Sequence, residues 1–187
     1  MEFLKGVLVF NLLYFDILFI GQISLRKGLH YLIDAFQNLK HPNKRLHIVG
    51  THTLDKKFFQ KRLNIENIIT YGHINHLKLN NIINKCHIFV LPSIEEGFAT
   101  VILQALSAGC PVIVSENTGA KEFVNDNNCG YVVPIRDPKA ITEKLELISD
   151  NKNDMEYLSN NALKKMKNQN WKNYVNELDR IVKGIKN

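Results

Sequence analysis

The sequence predicts a doubly wound α/β fold, a Rossmann-like parallel sheet with helices on both faces. Three observations carry this expectation. Apolar runs of strand length recur along the chain, helix-period segments lie between them, and the strands are apolar throughout where a half-solvated sheet would alternate. A sheet whose strands are apolar on both sides must be covered on both sides, and alternating strands and helices supply that cover.

The runs come in order. "FDILFIG" (15–21) reads as a buried strand, and "LHYLIDAFQNL" (29–39) follows with Leu29, Leu32, Ile33, Phe36 and Leu39 on one helical stripe. "RLHIVG" and "NIITYG" are the next strands; "LKLNNIINKC" then has helical spacing. "HIFVLPS" leads through a proline turn into the helix "TVILQALSA", and "PVIVS" and "GYVVP" complete the strands. After Pro134 only helices are expected: "DPKAITEKLELISD" with Asp137 as cap and Pro138 in its first turn, a polar helix from about Asn153, and another around Trp171 to Ile185. The expected organisation is therefore an unassigned segment 1–14, a Rossmann-like domain 15–150 and C-terminal helices 151–187.

Composition narrows the class. With 187 residues, 45% hydrophobic and 22% charged, the chain can bury a real core. Its net charge of +6 favours anionic ligands or acidic surfaces. The basic residues are scattered without interleaved aromatics, so no nucleic-acid partner is expected. Cys86, Cys110 and Cys129 are widely spaced with no CxxC, and His41, His47, His52, His73, His76 and His87 form no ligand pattern, so no metal is expected and buried packing is the reading for the thiols. A reducing, cytoplasmic location fits free cysteines. The apolar segment Gly6 to Gly21 is too short for a membrane span and is interrupted by Asn11 and Asp16.

In an open α/β sheet, ligands bind beyond the carboxyl ends of the strands, where the strand order reverses. The loops there are "GQISLRKG", "GTHTLD", "GHINH", "PSIEEGF" and "SENTGA". In "GQISLRKGL", Gly21 leaves a strand, Ser24 turns, and Lys27 stands at a helix start, where an ammonium and free N–H groups can share one anion. A solvated lysine is the plain alternative. In "PSIEEGFAT", two acids precede a helix: an acid there can hold ligand hydroxyls, or simply suit the helix dipole.

Taken together, "GQISLRKGL" and "PSIEEGFATVILQALSAGCPVIVS" resemble the nucleotide-sugar-binding half of the retaining GT-B glycosyltransferases, the "glycosyl transferases group 1" family. That family reads approximately G-R-x-S-x-x-K-G, then P-S-x-x-E-G-F-G-x-x-x-x-E-A-x-A-x-G-x-P-V-I, then G-G-x-x-E. "RLHIVGT", "ITYGHI", "CHIFVLPS", "TGAKEFV", "NCGYVVPIRDP" and Trp171 look like its further elements, extending the resemblance over roughly residues 15 to 180. The resemblance implies that Lys27 neutralises a donor diphosphate and that Glu96 lies near the donor sugar hydroxyls, Glu95 being its solvated neighbour. It implies that Gly97, Phe98, Ala99 and Thr100 present N–H groups to phosphate, that Gly21, Gln22 and Ser24 line the same site, and that Gly119 turns beside the donor. Glu122 matches a family acid or is a helix-start charge; Thr51 and His52 border the nucleotide loop or are structural.

Three positions depart from the family pattern. Gln22 stands in place of the diphosphate arginine, Gln104 in place of the ribose-holding acid, and Ala99 in place of a glycine. Gln104 keeps a neutral acceptor oxygen, which implies weaker donor binding; Ala99 is tolerable where φ stays negative. Arg26, adjacent to Lys27, is a candidate to stand in for the missing arginine, although neighbours at a helix start point in different directions.

The resemblance implies a sugar transfer from a nucleoside diphosphate sugar to a hydroxyl acceptor, with retained configuration, in surface polysaccharide, lipopolysaccharide or glycolipid synthesis. It implies no cofactor and no metal, since no Asp-x-Asp motif is present. The expected partners are the nucleotide sugar, an acceptor-binding domain or polypeptide, and a membrane surface met peripherally at its inner face. The competing expectation is a degenerate nucleotide-sugar-binding or interaction module without catalysis; a regulatory Rossmann module is a third, and it leaves "PSxxEGF" unexplained.

Overall fold

The computed structural model describes residues 13–52 and 56–167. The helix expected around Trp171 and most of the segment 1–14 lie outside the described residues.

Six parallel strands form one sheet. In chain order the elements are β1 (Phe15–Ile20), α1 (Leu29–Asn38), β2 (Lys44–Val49), α2 (Lys56–Gln60), β3 (Ile68–Gly72), α3 (His76–Ile83), β4 (Ile88–Leu91), α4 (Thr100–Ser107), β5 (Val112–Ser115), α5 (Lys121–Asp126), β6 (Gly130–Val133), α6 (Pro138–Asp150) and α7 (Lys152–Lys167). The strand order β3-β2-β1-β4-β5-β6 reverses direction between β1 and β4. That pair therefore defines the crevice in which such sheets hold ligands.

The inner strands explain why the sequence runs apolar without alternation. All residues of β1, β4 and β5 are buried, so both faces of the sheet centre are covered. The outermost strands differ from the expectation: β3 and β6 are mostly half-exposed, because an edge strand has cover on one side only. The helices bury the stripe that their spacing predicts: Leu29, Leu32, Ile33 and Phe36 of α1 are all in the core. The α6 helix packs on α1 and α7 on α4, with Ile141, Leu145 and Ile148 buried on one side of α6. As expected, Asp137 caps α6, its Oδ1 accepting from Ala140 N at 2.9 Å, and Pro138 occupies the first turn, where its missing N–H costs nothing. The short α2 and the 3-10 turn Arg62–Asn64 are absent from the sequence reading; at five and three residues they are too brief for periodicity to reveal.

All three cysteines are buried and free. Burial pushes the thiols up, Cys129 to about 11, which leaves them protonated and inert.

Candidate functional site

The crevice between β1 and β4 is built by three loops that interlock. The first runs from Gly21 to Gly28. It is tied to the end of β2 by Gly21 N donating to Val49 O at 2.9 Å and Ile23 N to Thr51 O at 2.9 Å. The second, Pro92 to Ala99, joins the first through Ile94 N to Arg26 O at 2.9 Å. The third, Glu116 to Ala120, joins the second through Glu96 N to Asn117 O and Gly119 N to Glu96 O, both 3.1 Å, and through Asn117 Nδ2 to Ile94 O at 3.2 Å. Backbone bonds of this density fix the loops without regular structure.

Two glycines permit the approach. Gly28 is left-handed, with φ of 70°, and a Cβ on it would stand 1.9 Å from the Pro92 carbonyl oxygen. Only glycine fits there. Gly119 sits so close to the second loop that a Cβ would lie 3.2 Å from Phe98 N.

Within this frame Lys27 and Glu96 meet: Lys27 Nζ donates to Glu96 Oε2, and both side chains are largely buried. Lys27 lies in the turn ahead of α1, which starts at Leu29, and its backbone N–H faces Ser24 Oγ at 3.4 Å. Ser24 is buried, while Gln22 is exposed. Glu95 is exposed, as its reading as the solvated neighbour requires. Contrary to the expectation from helix-start geometry, Arg26 also points to this carboxylate: Arg26 Nη1 is 4.0 Å from Glu96 Oε2 and 3.1 Å from Glu95 O. Both basic residues precede the helix, so the divergence of helical neighbours does not apply to them.

The helix N-termini around the crevice lack side-chain caps. The cap residues of α1, α4 and α5 are Gly28, Ala99 and Ala120, none with a capping side chain, whereas α3 and α6 are capped by Asn75 and Asp137. First-turn N–H groups left without a side-chain partner give a partial positive charge to whatever lies in front of them. Ala99 has φ of −67°, so the family glycine is not needed there. Gly97 and Thr100 are exposed. Phe98, also exposed, meets Phe123 edge to face at 5.8 Å. Gln104, in the second turn of α4, has a buried amide oxygen without a hydrogen-bond partner among the described residues, and it is not joined to the Lys27–Glu96 pair. Glu122, Thr51 and His52 are exposed.

One charged cluster went unread in the sequence. Asp16 of β1 is buried; Arg45 grips it with Nε at 2.6 Å and Nη2 at 2.8 Å, and His47 Nε2 lies at 2.8 Å. His47 Nδ1 meets the Tyr71 hydroxyl at 2.8 Å, and Asp16 N donates to His87 Nδ1 at 3.0 Å. Burial alone would push the carboxyl up, but the His47 and Arg45 bonds outweigh it and hold Asp16 at about 2. The signal was an acid inside an apolar strand; its partners, on β2, β3 and before β4, share no local spacing with it. A cavity of about 380 Å³ lined by Tyr131, Lys144, Asp154 and Tyr157 lies beside α6 and α7, apart from the crevice.

A six-stranded parallel sheet in this order, reversing between β1 and β4, is a Rossmann-like α/β fold of the kind found in GT-B glycosyltransferases. The chain belongs to the glycosyl transferases group 1 family, whose model matches residues 2–165. It is 29% identical over 161 residues to the capsular polysaccharide biosynthesis glycosyltransferase CapM of Staphylococcus aureus, covering 83% of this chain and 42% of that protein. In structure it is similar to WaaG, a glycosyltransferase involved in lipopolysaccharide biosynthesis (TM-score 0.76, 22% identity, 84% of this chain and 44% of that one). It is likewise similar to Anabaena Alr3699/HepE, solved in complex with UDP (TM-score 0.78, 19% identity, 93% of this chain and 49% of that one). The chain thus spans less than half the length of these relatives. No helix among the described residues is long and apolar enough to cross a membrane.

Proposed function

We propose that this chain is the donor-binding half of a retaining glycosyltransferase. It holds a nucleoside diphosphate sugar for transfer to a hydroxyl acceptor in the synthesis of a surface polysaccharide, lipopolysaccharide or glycolipid. The observation that carries the reading is the Lys27–Glu96 pair at the β1/β4 crevice, flanked by uncapped helix starts. Its roles divide by charge. Lys27 and the N–H groups of the turn from Gly97 to Thr100 take the diphosphate, and the ammonium matters most as the leaving group gains charge. Glu96 accepts from the donor sugar hydroxyls, and Gln104 offers its unpartnered amide oxygen to the ribose. Gly21, Gln22, Ser24 and Gly119 shape the wall. On this reading lysine and helix dipoles balance the diphosphate, so no metal or cofactor is called for. The acceptor comes with a second Rossmann-like domain, and the assembly works on the cytoplasmic side, at a membrane surface where its acceptor is a lipid-linked glycan.

HepE was solved with UDP and the chain shares its fold, which supports this choice of ligand. Calorimetric titration with UDP, GDP and UDP-glucose tests it. Lys27→Ala should weaken UDP and UDP-glucose alike by about tenfold, the scale of one charge-assisted contact. Glu96→Ala should weaken UDP-glucose more than UDP. Absence of nucleotide binding in the folded chain would sink the reading. Gln22 and Gln104 favour a second one, a module that binds nucleotide sugar without catalysis. Transfer activity on reconstitution with an acceptor domain, lost in Lys27→Ala, would exclude it.

A further inference from the structure

Two cations converge on one carboxylate oxygen. Lys27 Nζ bonds Glu96 Oε2, and Arg26 Nη1 lies 4.0 Å from the same atom. Their surroundings differ. Lys27 and Glu96 are 13% and 14% exposed, whereas Arg26 is 53% exposed at the rim. The rim position is nonetheless fixed, since Arg26 O accepts from Ile94 N at 2.9 Å and Arg26 Nη1 donates to Glu95 O at 3.1 Å. A guanidinium carries five N–H donors in a planar fork, and the bond to Glu95 engages one.

This arrangement bears on how an anion enters. One ammonium can bridge a carboxylate and a phosphate but neutralises only one negative charge, so a phosphate drawn to Lys27 leaves Glu96 under-compensated, and a carboxylate so little exposed is costly to leave without a counter-ion. A second cation within 4.0 Å removes the conflict. We propose that Arg26 is a positioning residue that takes over Glu96 when an incoming diphosphate draws Lys27 away. The pair of basic residues then serves one acid and one ligand in turn, and the exposed, neutral Gln22 supplies no charge for either task. The inference rests on the donor-site reading of the crevice and adds to it the residue that frees Lys27.

The experiment is a double-mutant cycle read by calorimetry, with UDP as probe and uridine as the phosphate-free control. Arg26→Gln should weaken UDP about three- to fivefold, the scale of a half-exposed charge pair, and leave uridine unchanged. Arg26→Lys should recover most of the loss. In a Glu96→Gln background there is no acid to hold, so Arg26→Gln should then have no effect on UDP. A loss of equal size in both backgrounds would mean that Arg26 touches phosphate directly and would overturn the proposal, as would no loss in either. Failure of the unmutated chain to bind UDP would overturn the donor-site reading and this inference together, whereas UDP binding without the coupling overturns the inference alone.

Discussion

Lys27 owes its place to a turn. Ser24 and Gly28 bracket it, and the left-handed Gly28 lets the loop close over Pro92, so the ammonium arrives at Glu96 from a neighbouring strand's loop. The same residue-scale view explains what the motif conveyed and what it did not. Lys27 and Glu96 meet at the crevice while Glu95 stays exposed, because short loops at fixed strand ends leave their side chains little choice. The direction of Arg26 is not legible from the motif, since it depends on where the helix begins, a boundary that sequence fixes only to within a few residues. Gln22 permits a direct prediction. It is exposed, so Gln22→Arg should fold normally and raise UDP affinity by about three- to tenfold at low ionic strength. Titration at 50 and 300 mM salt checks it, and a gain unaffected by salt would contradict a charge mechanism.

At the scale of elements, a buried cluster ties three strands to the segment that leads into a fourth. Asp16 joins Arg45 and His47 of β2, and through His47 and His87 it reaches β3 and the approach to β4. Its folded-state carboxyl, at about 2, lies below the ordinary value, so its contribution is complete above about pH 4 and disappears as pH falls towards 2. The size is about 2 to 3 kcal/mol. His87 works in the same direction: burial pushes it down, against the pull of Asp16, so stability also declines as pH drops below the imidazole's usual value of about 6.5. Urea unfolding of Asp16→Asn at pH 7 should show a loss of about 3 kcal/mol and a flatter acid limb between pH 4 and 2. A loss below about 1 kcal/mol would show the cluster to be dispensable. Gly28→Ala should be worse tolerated than alanine at most surface sites, because it adds a left-handed strain to a 1.9 Å clash with Pro92 O. A melting temperature within a degree or so of the parent would refute that packing argument. Strands and amphipathic helices were legible because each declares itself within a dozen residues. The Asp16 cluster was not, since its members come together only after four separate segments have paired.

For the whole molecule, the strand order reverses between β1 and β4, and that single topological fact places the candidate site where the motif residues already lie. The fold class could be read from alternation alone. The edges could not, because whether a strand is central or peripheral depends on pairing order, and β3 and β6 turned out half-exposed for that reason. The net charge of +6 belongs to this scale too and suits an anionic donor through long-range attraction, which salt should reduce. The central claim, that the β1/β4 crevice takes a nucleoside diphosphate, is tested most directly by an amide-resolved NMR titration with UDP. The account predicts shifts concentrated in residues 21–28, 93–104 and 116–122. Saturable shifts around Tyr131, Lys144 and Tyr157 instead, or none at millimolar UDP in a folded chain, would contradict it.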